Sequence, residues 1–448
     1  METGGYGRRP GASLVSDGRL GYHEAVRILH TSDWHLGIST GPEARVEEQG
    51  WFLEWLSATL CRYEVDVLVV AGDIFDTMQP SAEARELYYR FLAQVAQTGV
   101  RDVVVVGGNH DSASHLDAPR ALLEAVGVHV IGGVPGVEER LDRMVVPLRV
   151  RGSEEVAAVC LAVPYVHEYR LGIRTSDLNH EATRAAFRTA FAKIYSSLAD
   201  HAQNWYPGVP LIATGHMTLG RESKREDYPQ EIHQVGNIEG LPVEILDPRI
   251  SYAALGHIHR CYRVADSAAW YCGTPISYSL SEMRGTSKVL LVDMEAPLDA
   301  NVQRLEVPRW RDLVSISGGP EDVVQEIESL RWSTKLPPLV HVRVGTNMAE
   351  PGLARRLHDA VEKNTGQGGR PVLVEVQERA IDSMDAPSSS PLSMPALDEL
   401  DPAGVFRLMC DAQNLSETER IPLLAAFTEV QFADEEAMLS MLRTIGEQ

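Results

Sequence analysis

Eight side chains that can bind a metal or move a proton stand at the ends of five short β-branched apolar runs. They read Asp33-Trp34-His35, Gly72-Asp73, Gly108-Asn109-His110, Gly215-His216 and Gly256-His257-Ile258-His259. The runs before them include Val67–Val70, Val103–Val106 and Leu211–Ala213, so each group reads as the loop after a strand. Imidazoles, carboxylates and one amide, with no thiolate among them, suit a borderline-to-hard divalent ion such as Mn²⁺, Mg²⁺, Fe²⁺ or Zn²⁺. One ion does not need so many ligands. Two ions about 3.5–4 Å apart, sharing a carboxylate, would use them and would clamp the attacking and leaving oxygens of a phosphoryl transfer. Asp73, with two oxygens and a glycine before it, is the natural bridge. Strand alternation would put Asp33 and His35 on one face, and His257 and His259 likewise. Coordination would bring the pKa of water from 15.7 toward about 7 and so supply a nucleophile at neutral pH. No Ser or Cys in these groups offers a covalent route instead.

The order D-x-H, G-D, G-N-H-D, G-H, G-H-x-H resembles the calcineurin-like metallophosphoesterase superfamily. The blocks His30–Gly37 and Ala71–Asp76 are closer still to its SbcD-like double-strand-break repair nucleases, over about residues 26–300. The resemblance implies that Asp33, His35, Asp73 and His259 hold one ion and that Asp73, Asn109, His216 and His257 hold the other, with Mn²⁺ the expected pair. It leaves His110 as general acid or transition-state stabiliser, which agrees with an imidazole beside a ligand amide. Such a histidine needs an acceptor on its other nitrogen, and the resemblance gives that part to Asp76. Asp111 reads as a turn or supporting residue. Isolated histidines such as His23, His115, His129, His180, His201 and His341 are read as surface or core residues.

Elements must hold these groups together. Ala82–Gln97 and Glu181–Ala202 have helical periodicity, while Ala158–Val163, Ala268–Cys272 and Ser287–Met294 add strands. The expected fold is α/β, and the resemblance sharpens it to a four-layer α/β/β/α sandwich over residues 25–300, with the metals at one edge. Residues 301–380 spell β-α-β-α-β, a small α+β module that caps the site in the resembled family. Residues 381–398 are rich in Ser and Pro and read as a linker. Within 399–448, Asp401-Pro402 and the capping box Ser416-Glu417-Thr418-Glu419 open two amphipathic helices. Such a pair needs a surface to bury its apolar faces. The resemblance supplies one in an SbcC-like coiled-coil ATPase, and the chain itself has no G-x-x-x-x-G-K-[ST] loop. A homodimer within a heterotetramer is also implied, with Glu47–Leu60 either its interface or ordinary core.

The chain has 448 residues, enough for two or three domains, with 44% apolar and 6% aromatic residues. Residues 1–24 contain no apolar stretch of a signal peptide and read as a flexible extension, and no membrane span is expected. Five scattered cysteines without C-x-x-C favour a reducing cytoplasm. The net charge of −22 opposes binding to a polyphosphate. Residues 381–448 account for 13 acidic residues against 3 arginines, and Arg221, Lys224 and Arg225 could still meet phosphates. The expected function is a metal-dependent DNA exonuclease and endonuclease subunit acting on ends and hairpins. A phosphatase or cyclic-nucleotide phosphodiesterase could use the same site but would need neither the added module nor the helical pair. A DNA-end-binding scaffold with a dormant site is the third reading, and the full ligand set argues against it.

Overall fold

The computed structural model describes residues 11–14, 20–23, 26–134, 141–171, 173, 180–220, 240–295, 299–345, 352–364 and 369–379. The linker, the C-terminal helical segment and the Arg221–Arg225 cluster lie outside them. Gly11–Leu14 and Leu20–His23, inside the expected N-terminal extension, pair as an antiparallel ribbon.

Two six-stranded sheets make the larger domain. The first is built from β1 (Val26–Thr31), β2 (Val67–Ala71), β3 (Asp102–Val106) and β4 (Val128–Ile131), all parallel. The second takes β5 (Val145–Arg149), β6 (Val156–Leu161), β7 (Leu211–His216), β8 (Ile250–Gly256), β9 (Tyr262–Arg263) and β10 (Ala269–Tyr271) in the order β9-β10-β8-β7-β6-β5. Strands β11 (Lys288–Glu295) and β12 (Asp299–Glu306) complete the first sheet, in the order β12-β11-β1-β2-β3-β4. Strand β12 carries the domain on to Glu306, past the boundary at 300 expected from sequence. It is an edge strand with Asn301, Gln303, Arg304 and Glu306, so its pattern reads as surface rather than as sheet.

Helices α1 (Val46–Arg62) and α2 (Ala82–Val95) cover the outer face of the first sheet. Phe52, Leu53, Leu56, Leu87 and Phe91 pack there on Leu29, Leu68, Val70, Val103 and Val105. Period-two alternation turns the other side chains of these strands toward the second sheet, where buried His30 Nδ1 meets Tyr252 Oη at 2.8 Å. Helix α3 (His180–Trp205) packs behind β5 and β6. The layers are therefore α/β/β/α, as the family resemblance implies. Phe52 and Leu56 of the expected dimer face are core residues, and Trp51 lies under Lys335, whose Nζ is 3.2 Å from its ring centroid.

The smaller unit runs β13 (Leu313–Gly318), α4 (Pro320–Ser329), β14 (Leu339–Gly345), α5 (Leu353–Lys363) and β15 (Val372–Arg379). Its element order is the expected one, and its three strands run parallel, so the unit is α/β in the strict sense. Ile316, Val323, Ile327, Val342, Leu353 and Leu357 form its core. A buried ion-pair network ties the link between the units to α1: Arg311 reaches Glu43 at 3.0 Å and Glu48 at 3.1 Å, and Arg45 holds Glu48 at 2.6 Å.

Candidate metal centre

Strands β1, β2 and β3 of one sheet and β7 and β8 of the other end at the same edge, where ligands of α/β folds gather. Asp33, Asp73 and Asn109 lie two or three residues beyond their strands, His216 is the last residue of β7, and His257 follows β8 directly. The alternation expected for Asp33 with His35 and for His257 with His259 does not operate, because both pairs stand past their strand ends. Instead Asp33, His35, Asp73 and His257 all take positive φ, at 52°, 44°, 49° and 89°. Such non-glycine conformations cost about 1–3 kcal/mol each, and their concentration in four donor residues marks a constrained site. Hydrogen bonds enforce them: Asp33 N–H donates to Gly72 O at 3.0 Å, His35 N–H to Asp73 O at 3.0 Å, and His257 N–H to Asp33 Oδ1 at 2.9 Å.

Two glycines are required by close approach. At Gly72, with φ +90°, a Cβ would lie 2.1 Å from His216 Nδ1, and at Gly108 it would lie 2.1 Å from Asp73 Oδ1. Asp111 braces the same loops by accepting from the N–H groups of Gly108, Ile74 and Phe75 at 2.8–3.0 Å. Burial, reinforced by the charge of Asp73, raises its carboxyl to about 6.

The donors form two adjoining sets. In one, His35 Nε2 is 3.2 Å from His259 Nε2, and Asp33 Oδ1 is 4.0 Å from His259 Nε2. In the other, Asn109 Oδ1 lies 3.0 Å from His216 Nε2 and 3.1 Å from His257 Nδ1. Asp73 stands between them, its Oδ2 3.1 Å from His216 Nε2 and 3.7 Å from His35 Nε2. Its Oδ1 accepts from His110 N–H at 2.9 Å, so a single oxygen faces both sets. Neighbouring donors on an ion with bonds of about 2.1 Å lie roughly 3.0 Å apart, so these spacings fit two coordination spheres.

Outward-facing nitrogens set the tautomers. His216 Nδ1–H donates to Ala71 O at 2.9 Å, and His259 Nδ1 lies 3.0 Å from Glu282 Oε1, leaving Nε2 of both rings toward the centre. Burial would pull His216 and His259 down. For His216 the Asp73 and Asp33 carboxylates outweigh it, for His259 the bond to Glu282 and the charge of Asp33 do, and each rises to about 9. Burial and the charge of His216 take His257 the other way, to about 4. Burial alone would raise Asp73, yet His216, His35 and His110 hold it far below the carboxylate range. All of this is a field that seeks positive charge at the two Nε2 positions.

His110 is exposed at the mouth, its ring 4.9 Å from that of His35. Its Nδ1 lies 2.8 Å from the main-chain oxygen of Asp76, which can only accept. The orienting acceptor is therefore that carbonyl and not the Asp76 carboxylate named from sequence. The carboxylate turns to His35 instead, with Oδ1 3.5 Å from Nδ1. Sequence reasoning also missed Glu282, and Gln49, whose Nε2 donates to His35 O at 2.8 Å. Glu282 opens a short 3-10 helix, Glu282–Arg284, and Gln49 lies on α1, and neither carries a local signal.

A family model described as calcineurin-like phosphoesterase matches residues 26–261. Among curated proteins, the SbcD component of the nuclease SbcCD from Rhodobacter capsulatus is 34% identical over 295 residues, covering 63% of this chain and 72% of that protein. The SbcD protein of Escherichia coli is 29% identical over 407 residues, 90% of this chain and 97% of its own. That of Bacillus subtilis is 32% identical over 302 residues, 66% and 71% of the two chains.

Proposed function

The chain belongs to the calcineurin-like phosphoesterase family, and on that premise we propose that it is the metal-dependent nuclease subunit of an SbcCD-type complex, hydrolysing phosphodiester bonds of DNA ends and hairpins. The observation that carries the reading is the alignment with the Escherichia coli SbcD protein along 97% of its length, including the smaller module and part of the C-terminal segment. The donor geometry supports it chemically.

Asp33, His35, Asp73 and His259 would hold one ion, and Asp73, Asn109, His216 and His257 the other. N and O donors without thiolate admit Mn²⁺, Mg²⁺, Fe²⁺ or Zn²⁺, and the likeness to SbcD nucleases makes Mn²⁺ the proposed pair. When bound, the pair supplies Lewis-acid activation of water and neutralises charge on the phosphate. The protein's own residues do the rest. Asp73 fixes the spacing of the two sets through one oxygen. Glu282 and the Ala71 carbonyl keep the Nε2 lone pairs of His259 and His216 aimed inward. His110, held through Nδ1, presents Nε2 at the mouth, where it can protonate the departing oxygen. The positive φ values lock the donors before substrate arrives, so little reorganisation is left for the reaction.

Partners follow from the same reading: DNA as substrate, an SbcC-type ATPase engaged by residues 399–448, and a homodimer within the complex, in the cytoplasm. No helix among the described residues is long and apolar enough to cross a membrane. The test is cleavage of end-labelled duplex and hairpin DNA by the purified chain with Mn²⁺, with and without the ATPase, and with Asp73→Ala as control. Metal-dependent digestion that the variant lacks is expected. Hydrolysis of a small phosphodiester with no DNA cleavage under either condition would move the function to a small substrate.

A further inference from the structure

Three parallel strands of the second sheet, β6, β7 and β8, end at the catalytic edge, yet only β7 and β8 deliver residues to the metal centre. Strand β6 runs out through Ala162-Val163-Pro164 into Tyr165-Val166-His167, which contributes no metal donor and no proton-transfer group. This segment is tied to the loop of Asn109 and His110, because Tyr165 N–H donates to Gly107 O at 2.8 Å. The Tyr165 ring stands 6.3 Å from the His216 ring at 79°, and 4.9 Å from the His167 ring at 86°. His216 is sealed from solvent, whereas Tyr165 and His167 are half-buried. Arg170 closes the turn, its N–H donating to His167 O at 2.9 Å, and its charge is felt at the His167 ring.

The two flanks of the centre therefore differ in kind. His110 packs on His35, from one donor set, while the aromatic pair packs on His216, from the other. A diester lying across both sets meets a proton-transfer group on one side and two fixed rings with an arginine near them on the other. Rings of this sort accept any base, since every base has a π face, and the arginine suits the adjoining backbone phosphate.

We propose that Tyr165 and His167 form a platform that seats the nucleotide adjoining the scissile phosphate, on the His216 side of the centre. The proposal rests on the nuclease reading and makes these positioning residues, not catalytic ones. It explains how an enzyme of strongly negative net charge can hold DNA beside its centre without reading sequence.

The experiment uses the full chain, with its ATPase partner if cleavage requires it, on duplexes carrying an abasic residue on either side of the cleaved bond. Tyr165→Ala is expected to raise KM for intact DNA about tenfold or more, as loss of one stacked base does, with kcat and bound Mn²⁺ near wild type. His167→Ala should do the same more weakly, and Tyr165→Phe should keep wild-type KM. On the duplex abasic at the platform position, wild type and Tyr165→Ala should cleave alike. Equal losses for Tyr165→Ala on intact and abasic DNA, or loss of Mn²⁺ from that variant, would overturn the platform and leave Tyr165 as a support for His216. Failure of wild type to cleave any DNA would remove the nuclease reading and the platform together.

Discussion

Replacing Glu282 by glutamine changes one atom, and the structure makes it more damaging than its size suggests. The carboxylate serves three groups: His259 Nδ1 at 3.0 Å, Tyr278 N–H at 2.6 Å and Ser279 N–H at 3.3 Å. The two backbone donors share Oε2, so glutamine must place its oxygen there and turn its NH₂ toward His259. A donor facing Nδ1 selects the tautomer with the proton on Nε2, the nitrogen that lies 3.2 Å from His35 Nε2 and faces the centre. Binding an ion at that atom then requires a tautomer shift against the amide and loss of a charge-assisted bond, about 1.5–3 kcal/mol. This corresponds to roughly 10- to 150-fold in affinity, in line with the ~10–100-fold typical of partners that orient metal-bound histidines. Glu282→Ala admits water, which can accept from Nδ1–H, so it should cost less than the isosteric change. Calorimetric Mn²⁺ titration of wild type, Glu282→Gln and Glu282→Ala gives the order directly, and cleavage rate against Mn²⁺ concentration gives it independently. Wild-type affinity in the glutamine variant, or a larger loss in the alanine variant, would refute the tautomer argument.

His110→Ala should retain both ions and lose about 10²–10⁴-fold in kcat, and single-turnover cleavage with metal analysis checks both halves; normal turnover would remove His110 from the mechanism. Gly108→Ala drives a methyl to 2.1 Å from Asp73 Oδ1 and 2.3 Å from Asp73 N. It should displace the bridge, lower stability by about 1–3 kcal/mol in denaturant unfolding, and empty the centre in metal analysis. Because His216 and His259 are raised to about 9, each holds a proton below that pH which an ion must displace. Metal affinity should therefore fall as pH falls, with a log–log slope approaching two below about pH 9 and flattening above it. Titrations in buffers of different ionisation enthalpy would count the protons released, and an affinity constant from pH 6 to 8 would contradict the assigned field.

The donor types, their order and their place after apolar runs are local properties, and they were legible in the chain. A short run of β-branched residues such as Val103–Val106, closed by glycines, reads as a buried strand, and the polar residues after the glycines read as the loop that leaves it. The β-α-β-α-β order of the smaller unit follows from the same periodicity, whereas the four-layer arrangement of the larger domain is implied by the family resemblance. What strand alternation could not supply is how the donors meet, since Asp33, His35, Asp73 and His257 lie beyond the strands in left-handed turns. Those turns are held by bonds between segments tens to hundreds of residues apart, as from His257 N–H to Asp33 Oδ1. The carbonyl of Asp76, the carboxylate of Glu282 and the ring of Tyr165 enter the site by the same long-range route. Their types are ordinary in their own neighbourhoods, and only the closed tertiary fold sets them beside His110, His259 and His216. Side-chain chemistry is written residue by residue, but distance between residues far apart in the chain exists only once the chain has closed on itself.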